Sequence, residues 1–161
     1  MKEYLAETFL FNDTANKKML KKMADLPDKA ECIKYFSHLI NSQIRWLARI
    51  QQYPANPSLD WWLPVYPFDE LEARWDKSLQ EWLLFLQSKS EDELFADADF
   101  IGYDGTHFVA LLKDIALQLN YHSIHHRAQM QMIIRQQGLE PDFIDYIGTK
   151  YKRVPVDQLE M

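Results

Sequence analysis

Residues 120–127 read Asn-Tyr-His-Ser-Ile-His-His-Arg and hold three of the five histidines in the 161-residue chain. On a helix turning about 100° per residue, His126 falls about 40° from His122, whereas His125 falls about 60° to the other side. The i, i+4 spacing of His122 and His126 lets two imidazoles converge on one metal ion. Ile115, Gln118, Gln129 and Ile133 share their arc, and so do Phe108 and Leu111 if the helix begins near His107, so the pair faces inward. Two readings compete for it. A metal ion satisfies two of the four ring nitrogens; a pair of core histidines hydrogen-bonded to Asn12, Asn16 or backbone carbonyls satisfies them without one.

A metal centre needs a third protein ligand, and the candidates are His38, His107, His125, Cys32 and nearby carboxylates. His38 ranks first: it lies at the edge of a second helix's apolar arc near Tyr35, Ser42 and Trp46, although Asn41, Arg45 and Arg49 also flank it and a solvated surface histidine is the alternative. His125 reads as a supporting or exposed residue, and His107 as the first residue of the last helix. Cys32 falls within an apolar face and reads as a small buried hydrophobe rather than a nucleophile.

The elements that position these residues follow from apolar periodicity. Leu5, Phe9, Leu20 and Met23 define a first helix over residues 4–23, interrupted by Asn12 and Asn16, two amides that either line a polar cavity or fasten a neighbouring helix. A short connection around Pro27 leads to a second helix ending near Gln52, with Cys32, Phe36, Leu39, Ile40, Ile44, Leu47 and Ile50 on one face. Pro54, Pro57, Pro64 and Pro67 forbid a helix across residues 53–67, and Trp61 and Trp62 in that loop are too large to stay wet without a reason, so the loop is expected to fold over the bundle. A third helix spans about residues 69–87. Residues 93–108 lose helical periodicity and, with Gly102 and Asp104-Gly105, suit a short hairpin or extended excursion. A fourth helix is expected from about His107 to Gln137, stopped by Gly138 and Pro141. The tail after Asp145 shows no pattern.

The fold class is therefore all-α: a single-domain four-helix bundle over residues 1–161 with long connections. Composition narrows the function. Eighteen Lys and Arg against 24 Asp and Glu give a net charge of −6, which argues against a phosphate-backbone binder, so no nucleic-acid partner is expected. No apolar run spans a bilayer. A lone cysteine and the lack of a basic-then-apolar leader point to a cytoplasmic protein.

Phe11-Asn12 with Ala15-Asn16, then His38-x-x-x-Ser42-Gln43-x-x-Trp46-Leu47, then His122-x-x-His125-His126-Arg127-x-Gln129, then Gly138-x-x-Pro141-x-x-x-Asp145-Tyr146, resemble the DinB family of damage-inducible four-helix proteins, which is unrelated to the DNA polymerase sharing the name. The likeness runs from the first helix to about Tyr146, and the single His, the HxxxH pair and the following Arg are its most specific part. It implies a three-histidine centre made by His38, His122 and His126, holding Zn2+ or, as the alternative, Ni2+. It also implies a homodimer and, as in some relatives, a transferase or isomerase that uses a low-molecular-weight thiol. Gln43 stands where the family often has Glu, and an amide exchanges no proton usefully near neutral pH. The expectation is a metal-dependent enzyme of thiol-transferase or hydrolase type acting on a small molecule, against a non-enzymatic, metal-stabilised stress-response or binding protein. A dimeric interaction module built on the Trp61-Trp62 loop is a third reading. Arg127, Arg45 and Arg49 are candidates for the carboxylates of an anionic thiol, although each is more commonly a solvated surface charge.

Overall fold

Apolar residues recur every three to four positions along four stretches of the chain, and each stretch folds as a long helix that buries that face. The computed structural model describes residues 1–51, 60–102 and 104–152. Among them the chain runs α1 (Lys2–Ala24), α2 (Ala30–Ile50), α3 (Leu71–Ser88), the single turn α4 (Glu91–Leu94), strands β1 (Asp97–Ile101) and β2 (His107–Leu111), and α5 (Leu112–Gln136). Short 3-10 turns occupy Phe68–Glu70 and Tyr146–Thr149. This is the expected all-α bundle with long connections and a hairpin before the last helix. Gln52, Pro54 and Pro57 lie outside the described residues, and α2 ends at Ile50.

The last helix begins at Leu112, not at His107. Residues 107–111 pair antiparallel with 97–101, Ile101 opposite His107 and Asp97 opposite Leu111. A β-branched and aromatic run, Phe108-Val109, suits this pleated edge better than a helix start. The turn closes on Gly105, whose φ of +81° lies in the left-handed region. Ser90 and Glu93 cap α4 reciprocally, each side chain accepting the other residue's backbone N–H. At the far end of α5, Gly138 takes φ +82° and the Leu139 N–H donates back to the Ile134 carbonyl at 3.1 Å, which terminates the helix where the sequence predicts. Gln137 then clamps the α1–α2 connection, its Oε1 accepting from Asp28 N and its Nε2 donating to Asp28 O.

Two apolar clusters show how the helices run. One gathers the end of α1 (Met19, Met23), the start of α2 (Cys32, Phe36), the start of α3 (Leu71, Trp75) and the end of α5 (Met130, Ile134). The other gathers the start of α1 (Leu5, Phe9), Leu47 of α2, the end of α3 (Trp82, Leu86) and the start of α5 (Ile115, Leu119). Hence α1 lies parallel to α5, and α2 parallel to α3. Each of α1 and α2 packs on both α3 and α5, which leaves α1 and α2 diagonal to one another. The α2–α3 connection must return along the length of the bundle, which accounts for its length. Between the clusters lies a buried polar belt: Asn12 and Asn16 of α1, His38 and Asn41 of α2, Ser78 of α3, and Ser123, His126 and Arg127 of α5. Groups so buried need partners, and the belt supplies them.

Candidate metal centre

Because α5 packs on both α1 and α2, the two flanks of its one buried face meet different helices. The side facing α2 carries His122 and His126, and α2 offers His38 in return. His122 Nε2 lies 3.1 Å from His38 Nε2 and 2.9 Å from His126 Nε2, and one ring nitrogen from each of the three falls within 4.8 Å of the others. No carboxylate or thiol joins the group among the described residues. His38 and His126 are buried and His122 is partly buried.

The outer nitrogens settle the tautomers. His38 Nδ1 meets the Trp61 carbonyl oxygen, which only accepts, so that nitrogen carries the proton and Nε2 presents a lone pair. His126 Nδ1 likewise donates to Gln129 Oε1 at 2.6 Å, and its Nε2 is a second lone pair. His122 holds one Nε2 proton at most, enough for one of its two neighbours. At least one close pair of nitrogens is therefore left facing lone pair to lone pair, an arrangement that a cation relieves. Two nitrogens about 2.0–2.1 Å from one tetrahedral ion stand about 3.3 Å apart, near the spacing found. The residues fit a divalent metal ion, with the outer N–H of two rings held by acceptors as is usual around metal-bound histidine.

Electrostatics keep the rings neutral. Burial is the main cause for all three, drawing His38 below its ordinary value and His122 and His126 down to about 4. For His122 the mutual repulsion of His126, His38 and His125 adds to it; for His126 the bond to Gln129 works the other way. Neutral imidazole is the form that ligates.

Aromatic rings wall the group. Trp62 stacks on His38 with centroids 3.9 Å apart and planes at 9°, and Tyr35 stacks on His126 at 5.4 Å. The loop bearing Trp61 and Trp62 is tied down: Asp60 Oδ1 accepts from Trp62 N and Leu63 N, Asn41 Nδ2 donates to the Pro64 carbonyl, and Tyr66 bonds Ser37 and Asn41. Asp60 is thereby committed to its own loop. The other sequence candidates stand apart from the cluster. His125 is exposed, its ring 4.9 Å from that of His126. His107 is exposed on β2 and pairs with Asp99. Cys32 is buried in an apolar cluster, where burial pushes its thiol up to about 11. Gln43 faces α3, accepting from Ser78 Oγ at 2.7 Å.

Two features escaped the sequence reading. Gln129 was placed on the inward arc, but its work as the acceptor for His126 was not, though i, i+3 spacing puts it within reach. Arg127, a candidate for an anionic thiol's carboxylates with a solvated surface charge as the alternative, is only 5% exposed. Its Nη1 donates to Asn12 Oδ1, Asn16 Oδ1 and Ser123 Oγ on the side of α5 that faces α1, so the two Asn side chains fasten that helix. A search of family models matches the DinB superfamily over residues 22–130, about two thirds of the chain. No curated protein and no solved structure matches it.

Proposed function

The chain belongs to the DinB superfamily, and from that premise we propose that it is a metal-dependent enzyme whose centre is held by His38, His122 and His126. The observation that supports this reading best is the convergence of three imidazoles with no fourth protein ligand beside them among the described residues, the donor set of an open rather than a closed site. The ion is Zn2+ by preference and Ni2+ as the alternative, since imidazole suits both. Such an ion supplies Lewis acidity that activates a water or a thiol near neutral pH.

The chain's own groups do the rest. The Trp61 carbonyl and Gln129 hold the outer N–H of His38 and His126 and so aim their Nε2 lone pairs inward. Trp62 and Tyr35 exclude water from one side and fix the ring planes. With Gln43 bonded to Ser78, no acid-base role falls to that position. The reaction is of thiol-transferase or hydrolase type on a small molecule. The test is elemental analysis of tag-free protein, followed by a screen of low-molecular-weight thiols against a generic electrophile and of ester hydrolysis without thiol. About one ion per chain is expected, with activity lost on chelation and restored by Zn2+ or Ni2+. His38→Ala with full occupancy under mild chelation defeats the ligand assignment. The metal-free chain should stay helical by circular dichroism, because two apolar clusters stand without the ion; unfolding on chelation would favour a structural metal.

A further inference from the structure

The hairpin carries an open edge. The Gly102 N–H donates to the Thr106 carbonyl at 2.8 Å and the Leu112 N–H to the Ala96 carbonyl at 3.1 Å, one bond at each end of the β1–β2 ladder. Antiparallel partners alternate between bonded and non-bonded pairs, so Phe108 and Ala110 turn their backbone groups to β1, while His107, Val109 and Leu111 turn theirs away from it. The Leu111 carbonyl begins the α5 ladder. The other outward groups, both from His107, both from Val109 and the Leu111 N–H, have no backbone partner among the described residues.

Side chains mark the same edge. Ala98, Phe100 and Ala110 lie on the hairpin face that packs on the bundle, Phe100 edge-on to Trp46 at 5.0 Å. Phe108 belongs to that face and stacks on Phe100 at 5.7 Å, yet it is 46% exposed, so the bundle does not cover it. Val109, on the other face, is 58% exposed. Single edges are commonly guarded by charge, proline or a bulge. The β1 edge has that guard in Asp97 and Asp99, whereas β2 reads His-Phe-Val-Ala-Leu, with no carboxylate, lysine, arginine or proline.

We propose that β2 pairs with β2 of a second copy of this chain, antiparallel, making a four-stranded sheet across a two-fold axis at Val109. Setting outward groups against outward groups, and using all five residues of the strand, leaves one register: Val109 opposite the partner's Val109, and His107 opposite the partner's Leu111. The two Val109 residues then exchange both backbone hydrogen bonds. Each Phe108 faces the partner's Ala110, large against small, rather than a second phenyl ring. The β1 edge cannot substitute, because the same pairing there sets one Asp99 against another. Five residues a side make a contact at or below the roughly 1,200 Å2 that marks weak interfaces, so association depends on concentration.

The test is sedimentation velocity between about 10 μM and 1 mM protein, where a monomer–dimer equilibrium and no larger species is expected. Val109→Lys sets two ammonium groups against each other on the axis and should weaken dimerisation about tenfold or more, and Val109→Glu should do the same with two carboxylates. Mixed one to one, the two variants should recover dimers, since the opposed side chains then carry opposite charge. Ile101→Lys, at a 61% exposed position on the same face but on β1, should leave the equilibrium unchanged, which separates edge pairing from stacking of two hairpin faces. Both Val109 variants retain every backbone bond to β1, and circular dichroism verifies their fold. If neither folds, hydrogen exchange of the unaltered chain decides: the Val109 amide should slow as concentration rises and the Asp99 amide should not. A monomer at every concentration, open-ended assembly, unchanged dimers in Val109→Lys and Val109→Glu, failure of their mixture to pair, or loss of dimers in Ile101→Lys would each overturn the assignment.

Discussion

Replacing His126 and His125 separately by Ala sets two adjacent residues of one type against each other. His126 Nε2 stands 2.9 Å from His122 Nε2, whereas His125 is exposed and reaches the group only by an edge contact between rings 4.9 Å apart. A structural zinc ion held by four side chains binds with about 10–16 kcal/mol, so one ligand accounts for about 3–4 kcal/mol, or roughly 10²- to 10³-fold in affinity. His126→Ala should lose that much. His125→Ala removes an exposed ring and should change affinity by about twofold, within the usual 0.5 kcal/mol of a surface substitution. Competitive titration of Zn2+ against a chromophoric chelator measures both, with circular dichroism to verify that each variant is folded. Equal losses, or a greater loss in His125→Ala, would refute the helical register and the ligand assignment together.

Gln129→Leu takes the acceptor from His126 Nδ1 and should weaken Zn2+ binding about 10- to 100-fold in the same titration. The metal-free protein should lose stability as pH falls: His122 and His126 titrate near 4 when folded against 6.5 in the unfolded chain, so between about pH 6.5 and 4 the unfolded state binds more protons. Its urea midpoint should be flat above about pH 6.5 with respect to these groups and lower at pH 5, and an invariant midpoint would contradict the burial of the rings. Trp75→Ala, in the fully buried core, should cost about 3–5 kcal/mol in urea unfolding. Trp62→Ala, at 39% exposure, should cost under about 1 kcal/mol while loosening His38 enough to weaken metal uptake.

The bundle was legible because its apolar positions recur at helical spacing, and the register of His122 and His126 followed from the same count. That count went wrong where helix and strand meet: Phe108 and Leu111 continue the arc on paper, yet backbone pairing with β1 claims them. The burial of Arg127 was not legible, for a different reason. Arg127 lies about 100° round from His126, at the far flank of the buried arc, and nothing local to residues 112–136 says that α1 covers that flank. Asn12 and Asn16 were the available hint, since two amides on an apolar arc require a polar partner on another helix. The Trp61 carbonyl, as a backbone group in a proline-rich loop, leaves no signature in residue types at all.

The diagonal placement of α1 and α2 bears on how the chain assembles. Helices that follow one another in the chain commonly zip together as a hairpin, but here α1 packs chiefly on α3 and α5, the latter with Asn16 and Ser123 bonded across 107 positions. The entropy of closing such large loops is lost before the contacts that reward it form, which slows folding relative to an up-and-down bundle of equal length. During synthesis α1 has only the cover that α3 gives until α5 has emerged, and a chain cut before Leu112 leaves that face half covered and His38 without His122 and His126.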